Sequence, residues 1–207
     1  MAFAGAASAA VNVSFVQAPA FSPSVGYVDI DNFNTTANIT GSGFIVTTAN
    51  NAGGAPPANS NPFDTSYLAV QGGGTASILF SALTPKTVGA FEFDWGSIDK
   101  FNTLTINYTD AGGAHSETIL PGTISFPNTA DGNQVAPGTN GLFMVSGSAG
   151  TVFTGVTLAS SQNSFEIDNL AIAVPEPATW AMMFMGLGAI GGVLRSRRRK
   201  EAMAALA

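Results

Sequence analysis

In the stretch "AFEFDW", Ala90 to Trp95, large apolar and acidic side chains alternate without a break. Successive side chains of an extended chain point to opposite faces, so Phe91, Phe93 and Trp95 share one face and Glu92 and Asp94 the other. "TLTINYT" repeats the pattern, with Leu104, Ile106 and Tyr108 inward and Thr105 and Asn107 outward. Similar short runs ("GYVDI", "GFIVTT", "SYLAVQ", "TASILF", "SETIL", "LFMVSG", "TVFTGVTL", "SFEIDNLAIA") are separated by Gly, Pro, Asn, Asp or Ser. No stretch before residue 175 carries apolar residues at helical spacing over a useful length. About ten short strands, each with one wet face, predict an all-β fold, an antiparallel, jelly-roll-like β-sandwich over residues 13–173.

A body of about 160 residues is long enough to bury a substantial core. It does so without cysteine, and with charged residues at only 10% of the chain. The charges are segregated: Arg195, Arg197, Arg198, Arg199 and Lys200 sit together, leaving only Lys86 and Lys100 elsewhere. Up to Val174 two basic residues stand against eleven acidic ones, a net of −9. Such a body is repelled by nucleic acid, so a nucleic-acid partner is not expected. Residues 1–12, beginning "MAFAGAASAA", read as the remnant of a signal peptide or as a flexible N-terminus. "NNAGGAPPANSNP" (Asn50 to Pro62) and "PNTADGNQVAPGTNG" (Pro127 to Gly141) read as long polar surface loops where a ligand site could be built.

Catalytic chemistry finds little support. The only histidine, His115, follows a Gly-Gly turn, and its neighbour Ser116 would point to the opposite strand face, so the two cannot form a dyad. Glu92, Asp94, Asp99, Glu117 and Glu166 could supply a carboxylate pair for glycoside hydrolysis, but none stands in a distinguishing motif. The chain therefore reads as a non-enzyme. "FDWGSIDKFNTLTINY" (Phe93 to Tyr108) gathers aromatic and polar side chains of the types that sugar-binding faces use. Trp95, Asp99 and Asn102 are the candidate ligand-binding residues there, with burial of Trp95 beside Phe91 and Phe93 as the competing reading.

"YVDIDNF" (Tyr27 to Phe33) and "FEIDNLAI" (Phe165 to Ile172) share Ile-Asp-Asn, and in both the alternation slips by one residue after the isoleucine. Asp and Asn bond local backbone and tolerate unusual φ, so one reading is a bulge or strand-end turn. The other pairs the two strands and gathers Asp29, Asp31, Glu166 and Asp168 around a structural Ca²⁺, which takes six to eight oxygen ligands. No other cofactor is expected.

The C-terminal segment "VPEPATWAMMFMGLGAIGGVLRSRRRK" (Val174 to Lys200) has a different character. Ala178 to Leu194 is seventeen uncharged residues. As a helix they would span about 25 Å, the short end for a hydrocarbon layer of about 30 Å. Trp180 would sit at one interface and the arginines at the other, on the cytoplasmic side, placing the body outside. A short C-terminal transmembrane helix is therefore expected, with a seven-residue tail, 201–207, beyond it.

Pro175, Glu176, Pro177 and Trp180, then Gly186 and Gly188, then Arg197, Arg198 and Arg199, resemble the PEP-CTERM sorting signal in its PEP-x-x-W-A form, over residues 174–200. That resemblance implies an exported protein of a Gram-negative bacterium. It would be held in the inner membrane as a precursor and cleaved near the triplet by an exosortase, a Cys-dependent transpeptidase-like membrane protein. The product would be released to the cell surface or extracellular matrix of an exopolysaccharide producer. Through Trp95-Gly96-Ser97-Ile98-Asp99, Phe101-Asn102-Thr103-Leu104 and Phe165-Glu166-Ile167-Asp168-Asn169, the body is also similar to a family of exosortase-dependent surface proteins. That family brings no established biochemical activity with it. Three functions remain open: a structural or adhesive module associated with exopolysaccharide, a Ca²⁺-dependent lectin-like carbohydrate-binding module, and a glycan-active hydrolase.

Overall fold

The structure, a computed structural model, describes residues 11–17, 23–58, 66–122, 130–136 and 138–173. The chain divides into two units, Met1–Val174 and Pro175–Ala207. Everything described belongs to the first. The sorting signal and the expected membrane helix lie outside the described residues, and among those described no helix is long and apolar enough to cross a membrane.

Ten strands follow in order: β1 (Val11–Val16), β2 (Tyr27–Asp31), β3 (Ile39–Thr47), β4 (Tyr67–Leu79), β5 (Ala90–Gly96), β6 (Asn102–Asp110), β7 (Gly113–Ile119), β8 (Gly141–Gly147), β9 (Val152–Ser160) and β10 (Phe165–Ala173). A single helical turn, α1 (Phe80–Leu83), leaves the end of β4. Strand order is β1-β8-β5-β10-β4-β9-β6-β7, with β2 added on β10 and β3 on β4. All pairings among the described strands are antiparallel. The fold is thus the expected all-β one, a curled antiparallel sheet in which the ten strands join as one hydrogen-bonded sheet.

β4 carries the sheet from one layer to the other. Leu68, Ala69 and Val70 pair with β10, whereas Gly74 to Leu79 pair with β9, and β3 runs along the other edge throughout. The switch falls at Gly72-Gly73-Gly74. There β3 and β4 approach so closely that a Cβ on Gly74 would stand 2.2 Å from the Gly43 carbonyl oxygen, and Gly73 has φ +76°. Two of the expected strands, "SYLAVQ" and "TASILF", are consequently one strand bent at its glycines. Another departure is β1, which begins at Val11, inside the segment assigned to the N-terminal remnant. Val11, Val13 and Phe15 alternate inward and pack against the core.

The inward faces supply one hydrophobic cluster. Trp95 stacks on Phe165 at 4.5 Å between ring centroids and meets Phe143 edge-on at 5.3 Å. Phe91 on β5 meets Phe153 on β9 at 5.2 Å, tying the two layers together. Burying each such side chain contributes about 1.5–3 kcal/mol.

Candidate functional site

The segment Trp95 to Asn102 is where the sequence points to a ligand, and the structure redistributes its residues. Trp95 is 0% exposed and sealed between Phe165 and Phe143, so it is core and cannot be a stacking platform. Asn102 is also 0% exposed. With its amide turned to satisfy both ends, its nitrogen donates to Ser164 O (3.2 Å) and Ser160 Oγ (3.0 Å), and its oxygen accepts from Asp99 N (3.2 Å). It therefore ties the start of β6 to the loop between β9 and β10. Asp99, half-buried, bridges to Asp131. Burial first, then the Asp131 charge, raises its pKa to about 6. Its carboxylate lies against Gly132, where a Cβ would stand 2.5 Å from Oδ1.

What this segment does present outward is Lys100, Phe101 and Thr103. Asn102, Leu104 and Ile106 face inward along β6, so Thr103 faces out, while Lys100 and Phe101 lie in the turn before the strand. These three residues line an open groove of about 470 Å³ with Gly73, Gly74 and Thr75 of β4 and Ala159, Ser160 and Ser161 at the end of β9. The glycines at the β4 bend contribute no side chains to the lining, and Phe101 is half-buried there. Lys100 is exposed at the rim. Lys100 carries no ligand signal of its own in the sequence, whereas Phe101, with Trp95 and Tyr108, is one of the aromatic residues of the Phe93 to Tyr108 run.

The polar loops play another part. Asn140 accepts from Ser97 N (3.0 Å) and Ala58 N (3.2 Å) and donates to the carbonyls of Asn133 (2.9 Å) and Ala136 (3.1 Å). The described parts of both loops are thereby pinned to each other and to the end of β5, and none of their residues lines the groove. His115 and Ser116 stay apart as expected: the ring pairs with Asp110 at 2.9 Å, and Ser116 Oγ donates to Asn107 at 2.7 Å.

β2 does pair with β10, as the repeated Ile-Asp-Asn suggests, with Asp29 opposite Ala171 and Asp31 opposite Leu170. The phase slip in β10 is a bulge, with Asn169 at φ 53°. The slip after β2 is a strand-end turn in which Phe33 N donates to Asp31 (2.8 Å). The expected calcium set is not assembled, however. Glu166 lies at the other half of β10, where it accepts from Ser97 Oγ (2.8 Å), from Ser164 Oγ, and from Ala55 N (3.4 Å). Asp168 accepts from Asn169 N (2.8 Å). Among the described residues no three acidic or histidine side chains converge closely enough to hold a metal ion.

Instead, β5 and β10 share a face of buried acids. Glu92, Asp94, Glu166 and Asp168 are each at most 4% exposed. Asp94 stands beside Asp168 in register and accepts from Asn169 Nδ2 at 3.0 Å. Its pKa is raised to about 7, mainly by burial and further by Glu92 and Asp29, against the lowering effect of the Asn169 hydrogen bond. Burial also raises Glu166, opposed by its hydrogen bonds. Burial of this kind disfavours the charged form, while the hydrogen bonds each carboxyl accepts tie it into the structure.

Residues 173–199 match the family model of the PEP-CTERM protein-sorting motif, so the chain carries that signal. The signal implies export, processing by an exosortase, and a destination at the cell surface or outside the cell. No curated protein matches the chain. Among solved structures, the chain is similar to TmCBM61 in complex with β-1,4-galactotriose, at 11% identity and TM-score 0.37, covering 70% of this chain and 99% of that one. It is likewise similar to the CBM22-1 xylan-binding domain from Paenibacillus barcinonensis Xyn10C, at 14% identity and TM-score 0.37, covering 75% and 96%. A third is the carbohydrate-binding module CBM6cm-2 from Cellvibrio mixtus lichenase 5A in complex with cellotriose, at 16% identity and TM-score 0.35, covering 73% and 98%. Likeness at this level carries no inference about what the present chain binds.

Proposed function

We propose that this chain is the precursor of an adhesive, glycan-binding surface module. It is held in the inner membrane until an exosortase cleaves near Pro175-Glu176-Pro177, and the β-domain then works outside the cell in contact with exopolysaccharide. The observation that supports glycan binding is the groove itself, whose lining combines a half-buried aromatic residue, Phe101, with the hydroxyl-bearing residues Thr75, Thr103, Ser160 and Ser161 and with Gly73 and Gly74. Aromatic faces take the C–H side of sugars, and hydroxyls take their polar edges. Among the described residues that line the groove, side chains that can contact a sugar are aromatic, hydroxyl or ammonium ones.

A glycan array probed with the wild-type domain and with Phe101→Ala tests the reading. The expected result is recognition of a glycan by the wild type and a loss of about tenfold or more in the variant, roughly 1.4 kcal/mol, with the fold intact by circular dichroism. Binding of no glycan, or equal binding by the variant, would remove the groove from consideration.

A further inference from the structure

The groove has a charge character unlike the rest of the domain. Up to Val174 only Lys86 and Lys100 are basic, against eleven acids, and one of those two bases stands at the groove rim. Its sequence neighbour Asp99 forms no ion pair with it, and that carboxylate lies against Gly132. Among the described residues Lys100 forms no ion pair; the one recorded there joins His115 to Asp110. Among the described residues no carboxylate lines the groove.

The same sheet face continues without charge away from the groove. Thr40 lies opposite Ser77, Ser77 opposite Thr157, Thr157 opposite Thr105, and Thr105 opposite Thr118, a row of hydroxyl side chains crossing five strands. A neutral hydroxyl face with a single unpaired ammonium beside an aromatic ring complements a sugar polymer that carries an anionic substituent.

Resting on the glycan-binding reading above, we infer that the groove selects linear polysaccharides containing carboxylated sugars. Phe101 takes a ring face, Thr75, Thr103 and Ser161 take hydroxyls, and the Lys100 ammonium takes the carboxylate. Elsewhere the acidic body repels such a polymer, but at physiological ionic strength that repulsion is screened beyond about 8 Å. The contact at the rim therefore decides the preference. An ion pair at an exposed rim is worth up to about 1 kcal/mol, a several-fold effect on affinity.

The test uses the exported domain, residues 11–173 with its native flanks, on polygalacturonate and alginate and on the carboxyl-reduced, neutral form of each. Wild-type protein should bind the carboxylated polymers several-fold more tightly than their reduced forms, and Lys100→Gln should erase that difference between the two forms of each polymer. Equal or stronger binding of the reduced polymers, or full retention of the preference in Lys100→Gln, overturns the inference and leaves the glycan-binding reading standing. Binding to neither set, with an empty glycan array, overturns both.

Discussion

Asp94 shows how burial of an acid becomes a property that can be measured. Its pKa is about 7 in the folded chain against an ordinary 3.8, and Asp99 reaches about 6. For an acid raised on folding, the stabilisation is full below the unfolded pKa and is lost as pH rises through the folded one. The domain should therefore melt highest near pH 4 and lose roughly 5 °C or more by pH 8, and Asp94→Asn should flatten that slope. A melting series from pH 4 to 8 checks it; a midpoint that rises with pH would mean the acids are held charged. At this scale the sequence was partly legible. Alternation put Phe91, Phe93 and Trp95 on one buried face, and the same alternation put Glu92 and Asp94 on the other. That this second face is also covered has no signal in the run itself, because the covering contacts come from distant residues. Ser24 N, for example, donates to Glu92 at 2.7 Å.

The element that decides the architecture is β4. Read alone, Gly72-Gly73-Gly74 is a turn signal, and it divides the strand into two. In the folded chain the glycines serve a close approach: β3 and β4 remain paired past the bend only because neither Gly43 nor Gly74 has a side chain there. Gly74→Ala should cost about 1–3 kcal/mol, since its Cβ meets backbone rather than a yielding side chain. Chemical denaturation would show it as a lower midpoint, and an unchanged midpoint would argue against the close contact. β10 was easier to foresee. The slip after Ile167 marked its bulge, because Asp168 and Asn169 can satisfy backbone locally where the ladder breaks. The groove was not foreseeable from any one element. It joins residues near 74, 101 and 160, which only the pairing of β4, β9 and β6 brings together.

At the scale of the whole molecule, the chain joins a β-domain that has a groove to a tail whose sequence matches a sorting motif. The tail was the most legible part of the sequence because its meaning lies in linear order: triplet, apolar span, basic cluster. The ligand was the least legible, since affinity depends on which side chains reach the outer face of β4, β6 and β9. On the proposed function the domain acts after the segment that delivers it has been removed. Mass spectrometry of the C-terminal peptide of the protein isolated from its native cell surface tests this most directly. The account predicts a chain ending at or close to Pro175-Glu176-Pro177, with the apolar span and arginines gone. A surface protein that retains Arg197-Arg198-Arg199 would contradict it.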